Sequence, residues 1–364
     1  MRILLLGEYS NVHATLAKGL RRLGHRVTVV SNGDFWKDYP RDIDVSRHGT
    51  FGGLRLYLRL LSLLSRLRGY DIVQLINPMF FEIKAERLYF FYHYLRRHNR
   101  RVVLGGFGID YYWVHECITR FPLRYSDFNF GTEIRQDREA QKYIREWIAT
   151  PKGDLCQYIA NDCDKIITGL YEYWACYQPV FPDKTAYCPF PIVPRDNPLR
   201  PFDGTLRLFL GINRERSAYK GTDIMLKAAQ RIAAEYPGKV DLKLAESLPF
   251  AAYTQCMDHA DAILDQLYSY TPAMNALEAM ARGLICIGGG EEEHYALLQE
   301  ETLRPIVNVR PSEADVCRAL RRLLARPERI DVLKRESMLY VRRHHDYLKV
   351  ARRYIEIYEA LLRH

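Results

Sequence analysis

The order strand, glycine, helix is set within the first thirty residues and recurs almost to the end of the chain. Residues 2–6 are an apolar run that stops at Gly7, residues 11–23 carry apolar side chains at helical spacing and close on Gly24, and residues 26–31 are the next strand. A strand that returns to its neighbour through a helix must pair in parallel, and both faces of such a sheet are covered. The fold class is therefore α/β. At 364 residues the chain is long for one core, so two domains are expected. The first turn, from Gly7 through Glu8 to Val12, holds a single glycine. It lacks GxGxxG, which speaks against a dinucleotide cofactor.

Residues 54–67 read as a Leu-rich helix with Arg55, Arg59, Arg66 and Arg68 along it. Two readings stand: a crossover helix whose arginines reach out into water, or a helix lying on a membrane surface. The leucines occupy too many faces for a clean amphipathic moment, which favours the first. A strand at 71–76, a helix at 81–98 and a strand at 101–104 follow, ending in the glycine-rich turn Gly105-Gly106-Phe107-Gly108-Ile109-Asp110. Such a turn lets backbone approach a ligand closely. Residues 111–153 break the alternation with aromatic and charged side chains before a helical stretch at 136–148. Long insertions at the ligand edge of a sheet serve as lids or acceptor sites. His115, Glu116 and Asp127 are the acid–base candidates there, set against the plainer reading of solvated loop residues. Residues 154–162, 165–168 and 171–177 read as helix, strand and helix.

Pro189, Pro191, Pro194, Pro198 and Pro201 resist both helix and central strand, so residues 191–203 read as a linker between domains at 1–190 and 204–339. The second domain restarts with a strand at 206–210 and Gly211, then a basic loop with Arg214, Arg216 and Lys220, then a helix at 222–235. Those cations can converge on a diphosphate through charge-assisted bonds, or form an ordinary solvated loop. A strand at 241–245, a helix at 249–259 and a strand at 259–264 lead to residues 265–283. In that stretch Thr271 is expected as N-cap, Pro272 as first helical residue, 273–282 as helix and Gly283 as a left-handed terminator. A strand at 284–287 and Gly288-Gly289-Gly290 come next. A helix start at the carboxyl end of a parallel strand attracts anions. Glu278, alone among Ala, Leu and Met, marks a ligand site. Residues 312–324 and 327–334 read as helices, and 340–362 as one long final helix with a basic face.

The net charge of +9 fits phosphate-rich ligands, nucleic acid or an anionic membrane surface, and no nucleic-acid-reading module accompanies it. The eight cysteines include no CxxC pair, as expected for reduced, buried thiols in a cytoplasmic protein. The first residues lack the pattern of a signal peptide, and no apolar run is long enough to span a bilayer.

The opening residues 2–6 with His13, Leu16, Ala17, Leu20 and Gly24-His25-Arg26-Val27-Thr28-Val29 resemble the start of a GT-B glycosyltransferase. Lys220-Gly221-Thr222-Asp223, followed by Leu277-Glu278-Ala279-Met280-Ala281 and Gly283, is similar to the donor-binding half of the retaining glycosyltransferases of family 4 (group 1). Asp265-Gln266-Leu267 resembles a subgroup found in bacterial surface-polysaccharide gene clusters. The resemblance covers nearly the whole chain. It implies two Rossmann-like domains with parallel sheets facing a central cleft, and a C-terminal helix, about 340–364, crossing back to the first domain.

What the resemblance implies for chemistry is transfer of a sugar from a nucleotide diphosphate to the hydroxyl of a glycan or lipid-linked acceptor, with retained anomeric configuration. Lys220, with Arg214 or Arg216, corresponds to the basic pair on the diphosphate, and Glu278 to the ribose ligand. Thr271, Ala273, Met274, Gly211, Gly289, Gly290 and Glu293 fall on the donor side. Tyr270 stands where relatives carry a glutamate against the transferred sugar, and Phe107 where many carry a catalytic histidine, while Gly108 and Asp110 match. Gly7, Glu8 and His13 fall on the acceptor side with Phe107 and Gly108. Asp42-Ile43-Asp44 and Asp162-Cys163-Asp164 match a metal-binding DxD by spacing only, stand away from the donor motifs and lack further ligands. No metal and no cofactor is expected, the nucleotide-sugar being a substrate. A cytoplasmic enzyme, peripheral at the inner face of the membrane, is the leading expectation, and a nucleotide- or glycan-binding partner protein without strong catalysis is the alternative.

Overall fold

A computed structural model describes residues 1–196, 198–246 and 250–363. Its strands run, in chain order, β1 (Arg2–Leu6), β2 (Arg26–Ser31), β3 (Ile43–Asp44), β4 (Ile72–Leu75) and β5 (Arg101–Gly106). Next come β6 (Asn129–Phe130), β7 (Glu133–Ile134), β8 (Lys165–Thr168) and β9 (Thr185–Tyr187). The last are β10 (Leu206–Ile212), β11 (Val240–Glu246), β12 (Ala262–Leu264), β13 (Ile285–Gly288) and β14 (Val307–Asn308). The chain divides into two compact units. The first holds Met1–Pro122, Tyr143–Pro191 and Tyr347–His364, and the second Leu123–Lys142 and Ile192–Asp346.

The first unit is built on a seven-stranded sheet of order β3-β2-β1-β4-β5-β8-β9, every pair parallel. Ile3, Leu4, Leu5 and Leu6 of β1 are wholly buried, as the continuous apolar run requires of a central strand. The helix Val12–Arg22 crosses from β1 to β2, and the C-terminal helix Tyr347–Arg363 packs on it. Gly19 permits that approach, since a Cβ there would lie 2.6 Å from the Tyr347 carbonyl oxygen. Residues 340–362 are not one helix. The helix Ile330–Tyr340 passes into a π-helical turn, Val341–His345, and the chain leaves helical geometry at Asp346 (ψ 123°). Glu300 gathers Arg343 Nη1 (2.8 Å) and His344 Nε2 (2.6 Å) beneath that turn. Only the segment beyond Asp346 belongs to the first unit.

The second unit holds a five-stranded parallel sheet, β11-β10-β12-β13-β14. Leu208, Leu210, Leu264 and Ile287 of its strands pack with Met225, Ile232 and Leu320 of the covering helices Thr222–Glu235 and Glu313–Ala325. The expected helix from 249 begins among residues outside the described ones and is seen from Phe250 to Asp258.

Residues 111–153 are more ordered than the sequence suggests. Tyr111–Thr119 is a helix of the first unit, β6 and β7 form an antiparallel hairpin, and Arg138–Trp147 is helical. The hairpin segment Leu123–Lys142 belongs to the second unit, although the linker-based reading places it in the first. All eight cysteines are free, and seven of them are buried. Among the described residues no helix is long and apolar enough to cross a membrane.

Candidate functional site

In the second unit, several residues that the resemblance places on the donor side lie on and after β10. Gly211 has no room for a side chain, since a Cβ there would stand 2.6 Å from the Tyr253 hydroxyl. That hydroxyl donates to Asn275 Oδ1 (3.0 Å), and Asn275 Nδ2 donates to Asp265 Oδ1 (3.2 Å). Burial raises the Asp265 carboxyl above its ordinary range, while the Lys220 ammonium and Asn275 hold it down. Lys220 ends the short helix Ser217–Lys220, and Gly221 follows in the left-handed region (φ +74°). The Lys220 carbonyl accepts from Leu267 N (3.0 Å), which ties the basic turn to the chain leaving β12. Gly211, Lys220, Asp265 and Asn275 thus form one connected patch. Asn275 lies in the first turn of the helix Met274–Ala281.

That helix starts later than its sequence suggests. Its N-cap is Ala273, not Thr271, and Met274 is its first residue. Thr271 is buried in a bend, its carbonyl accepting from Ser269 Oγ (2.6 Å), and the extended residue before the helix is Ala273. An alanine cap leaves the amides of the first turn to other partners. Gly283 ends the helix region at φ +86°, as expected. Glu278, on the helix, is half-buried and receives Arg195 Nη2 (2.6 Å) and Arg282 Nη2 (3.1 Å). No pattern in the sequence marks Arg195, which lies in the proline-rich stretch.

The two arginine candidates separate. Arg214 is 82% exposed and its Nε pairs with Glu246 Oε2 at 2.9 Å. Arg216 lies half-buried with its guanidinium 5.2 Å from the centre of the Tyr219 ring. Of the two, Arg216 is the one whose charge acts, with those of Arg135 and Lys220, on the carboxyl of Asp127 in the hairpin segment, which burial raises to about 6 against the Tyr219 hydroxyl and these cations.

At the other end of the patch the hairpin supplies residues that the sequence did not single out. Arg124 N donates to the Tyr270 hydroxyl (2.7 Å), and the Arg124 guanidinium lies over the same ring, 5.0 Å from its centre. Arg124 Nη2 reaches Glu291 Oε2 at 2.6 Å, and its Nη1 bonds Glu293 Oε1. Tyr125 also donates to Glu291 and its ring lies 5.0 Å from that of Tyr270. Asn308 Nδ2 adds a third bond to Glu291 (3.0 Å), and Asn308 Oδ1 accepts from Gly290 N (3.0 Å). Tyr270, Glu293, Gly289 and Gly290 are therefore fixed around a buried glutamate, with Arg124 as the link. Gly289 is obligatory, since a Cβ would meet the Ser269 carbonyl oxygen at 2.2 Å. A run of aromatic and charged residues at 121–130 is the only sequence signal for Arg124 and Tyr125.

The acceptor-side residues of the first unit are mostly engaged with the fold itself. Gly7 is at φ +82°, with Ile76 Cγ2 2.2 Å from where a Cβ would be. Glu8 is buried and accepts from His13 N (3.2 Å) and Ala14 N (2.7 Å), so its carboxylate closes the start of Val12–Arg22. Burial pushes that carboxyl up to about 8, against the backbone amides that favour its charge. His13 is wholly buried: Nδ1 bonds the Gly7 carbonyl (2.8 Å), and Nε2 accepts from Gln74 Nε2 (3.1 Å). Tyr358 of the C-terminal helix donates to Gln74 Oε1 (2.6 Å) and completes the chain. Only the Nδ1-protonated tautomer satisfies it. Desolvation lowers the His13 pKa to about 4. Expected to meet an acceptor, His13 instead joins the first turn to the last helix.

Asp110 is likewise a structural group. It is buried, caps the helix Tyr111–Thr119 through Trp113 N (2.9 Å) and accepts from the Tyr177 hydroxyl (2.8 Å). Burial raises its carboxyl to about 6. Phe107 is buried edge-on against Phe190, and Gly108 admits the Tyr9 ring, 2.9 Å from where a Cβ would be. Of the acid–base candidates in the first unit, His115 stacks on Tyr111 and Glu116 pairs with Arg120. The DxD carboxylates are engaged within the first unit: Asp42 accepts from Val29 N (2.7 Å) and Arg21, and Asp44 from Arg41 (2.8 Å). Asp162 accepts from Tyr92 (2.7 Å), and Asp164 from Val102 N (2.7 Å) and Arg96.

No protein-family model matches the sequence, and no curated protein matches it. Solved structures match over the whole chain. Alr3699/HepE of Anabaena, in complex with UDP-glucose, superposes with a TM-score of 0.61 at 13% identity, covering 99% of this chain and 100% of that one. Sucrose-phosphate synthase of Thermosynechococcus elongatus gives 0.60 at 14% identity, with 99% of each chain covered. WaaG, a glycosyltransferase involved in lipopolysaccharide biosynthesis, gives 0.51 at 13% identity, with 98% and 99% covered. The fold is GT-B, with two Rossmann-like α/β units and a C-terminal helix that returns to the first.

Proposed function

We propose that the chain is a retaining glycosyltransferase of the family 4 type, moving a sugar from a nucleotide-diphosphate sugar to a glycan or lipid-linked acceptor hydroxyl in bacterial surface-polysaccharide synthesis. The observation that carries this is the connected patch of Gly211, Lys220, Asp265 and Asn275 beside the start of the helix that bears Glu278. A fold shared with HepE, solved with UDP-glucose, supports it. In this reading Lys220 and Arg216 stabilise the charge that develops on the departing β-phosphate, and the first-turn amides of Met274–Ala281 assist. Glu278, held by Arg195 and Arg282, takes the ribose hydroxyls. Glu293, Gly289, Gly290 and the Tyr270 ring hold the sugar. Charge stabilisation by side chains and amides requires no metal.

A surface of the first unit fits a lipid-linked acceptor at the inner face of the membrane. The Leu-rich helix spans Gly52–Ser62, buries Leu56 and Leu60, and leaves Leu54 (56%) and Leu58 (56%) exposed beside Arg55 and Arg59. Phe51 (70%) precedes it, and Phe35 (64%) and Trp36 (65%) stand out from a nearby turn. Exposed apolar residues interleaved with arginines suit an anionic bilayer. This revives the membrane reading that leucine spacing alone disfavoured.

The alternative, a nucleotide- or glycan-binding partner with little catalysis, draws on Tyr270, which is bonded to Arg124, and on Asp110, which serves as a helix cap. The test is release of UDP, GDP or ADP from the matching sugar donors with and without acceptor glycans. Acceptor-dependent release supports transfer. Nucleotide binding without release supports the alternative, and absence of binding to all three nucleotides and to the acceptor glycans overturns both.

A further inference from the structure

The amino edge of the first sheet, opposite the turns that follow its strands, carries a basic cavity that the transfer chemistry does not use. Arg2 opens β1 and Arg26 opens β2, and the two are register partners on neighbouring parallel strands. Paired residues stand roughly 4.8 Å apart and leave the sheet on the same face, so two like charges sit side by side and repel. Arg21, at the end of the helix Val12–Arg22, and His25 complete the basic wall of a cavity of about 510 Å³. Thr28 and Tyr70 also line it. The Tyr70 hydroxyl donates to the Arg66 carbonyl (3.1 Å) and lies 3.2 Å from Thr28 Oγ1, and the Arg2 guanidinium lies 5.2 Å from the centre of its ring. The carboxylates of this edge are already taken. Asp42 accepts from Arg21 and from Val29 N (2.7 Å), and Asp71 accepts from Arg2 N (2.8 Å) and from Arg100 Nη1 (3.2 Å). Among the described residues no carboxylate lines the cavity, and neither the Arg2 nor the Arg26 guanidinium makes an ion pair.

We propose that this cavity is a binding site for a phosphate-bearing anion, held between Arg2 and Arg26 with Arg21 at its rim. It lies in the first unit, whereas the proposed donor site belongs to the second, so neither reading depends on the other. A guanidinium presents a planar fork of donors that matches phosphate oxygens, and two forks on adjacent strands suit one phosphate or the two halves of a diphosphate. The volume is that of a small-ligand pocket, so a diphosphate fits with room for part of what carries it. The anion also cancels the repulsion between the two arginines, so its binding stabilises the folded chain. The recognised chemistry is the phosphate group itself, whether of a free diphosphate or of an anionic lipid headgroup.

The test titrates the full chain calorimetrically with inorganic pyrophosphate and sediments it with vesicles of phosphatidylglycerol and phosphatidylcholine. The Lys220→Ala protein, which silences the proposed donor site, is compared with the same protein carrying Arg26→Gln. Arg26 is exposed and pairs with no side chain among the described residues, so the exchange removes charge without removing packing. Pyrophosphate is expected to bind, to raise the melting temperature, and to bind about tenfold more weakly after Arg26→Gln, the loss of one charged hydrogen-bonding partner. Vesicle binding that falls with Arg26→Gln, with no pyrophosphate bound, also sustains the inference and assigns the site to a lipid headgroup. Binding of both probes unchanged by Arg26→Gln, or absent for both, overturns it. Arg2→Gln provides the same comparison if Arg26→Gln does not fold, and nucleotide binding by the wild type judges the donor site separately.

Discussion

In each unit a buried strand with a glycine at or near its end, β1 in the first and β10 in the second, leads into a helix, yet the two turns are filled in opposite ways. After β1 the space at the helix start is taken by Glu8, which bonds the amides of His13 and Ala14 from within the same turn. After β10 the turn presents Lys220 and Arg216, and the carboxyls that the Lys220 charge acts on, Asp127 and Asp265, are far away in sequence. A helix start answered by its own turn is closed to a ligand. A basic turn whose carboxylate neighbours come from elsewhere in the chain has the charge of an anion site. One Rossmann-like frame thus gives a structural joint in the first unit and a candidate ligand site in the second, and the origin of the anion decides which.

The largest expected effect tests the open turn. Lys220→Ala should lower donor turnover about a hundred- to thousandfold by removing charge from the leaving group. Steady-state nucleotide release measures it, and near-normal turnover would remove Lys220 from the chemistry.

The next tests the closed turn through pH. Folding holds the His13 ring neutral down to about pH 4, whereas an unfolded chain protonates it from about 6.5. Across that window the unfolded state binds more protons, so stability falls as pH drops from 6.5 toward 4 and this contribution levels off below. The full span is worth up to about 3 kcal/mol. Urea titrations of wild type and His13→Gln should differ in slope over that range, and parallel curves would show that the buried ring does not titrate as described.

Glu8→Ala should cost about 2–3 kcal/mol of stability by stripping the acceptor from buried helix-start amides. UDP affinity should stay unchanged. A marked loss of affinity without loss of stability would mean that the first turn is open after all. The smallest effect is expected at Glu278→Ala, about tenfold weaker nucleotide binding from the loss of charged hydrogen bonds. An intact dissociation constant would count against its assignment to the ribose.

Features set by a few adjacent residues were legible in the sequence. Gly7 and Gly283 adopt the left-handed geometry their positions imply, and the strands around them run as the apolar stretches suggest. Features set by distant partners were not. Glu8, His13 and Asp110 carry the side chains of a reactive site, but burial and bonds to Ala14, Gln74 and Tyr177 make them structural. Thr271 has the chemistry of a cap, yet it lies in a bend whose carbonyl is held by Ser269, and the helix starts only after Ala273. Arg124 and Arg135 gain their meaning from residues more than eighty positions away. The break at Asp346 likewise depends on Glu300, which no helical periodicity contains.

The chain passes between its units after Pro122, Lys142, Pro191 and Asp346. A chimera that exchanges the sequence on either side of the proline-rich stretch would therefore separate Arg124 from Glu291 and Arg135 from Tyr219. The second unit is thus written as two separate pieces of sequence, and a transplant of it has to carry the twenty residues Leu123–Lys142 along with Ile192–Asp346.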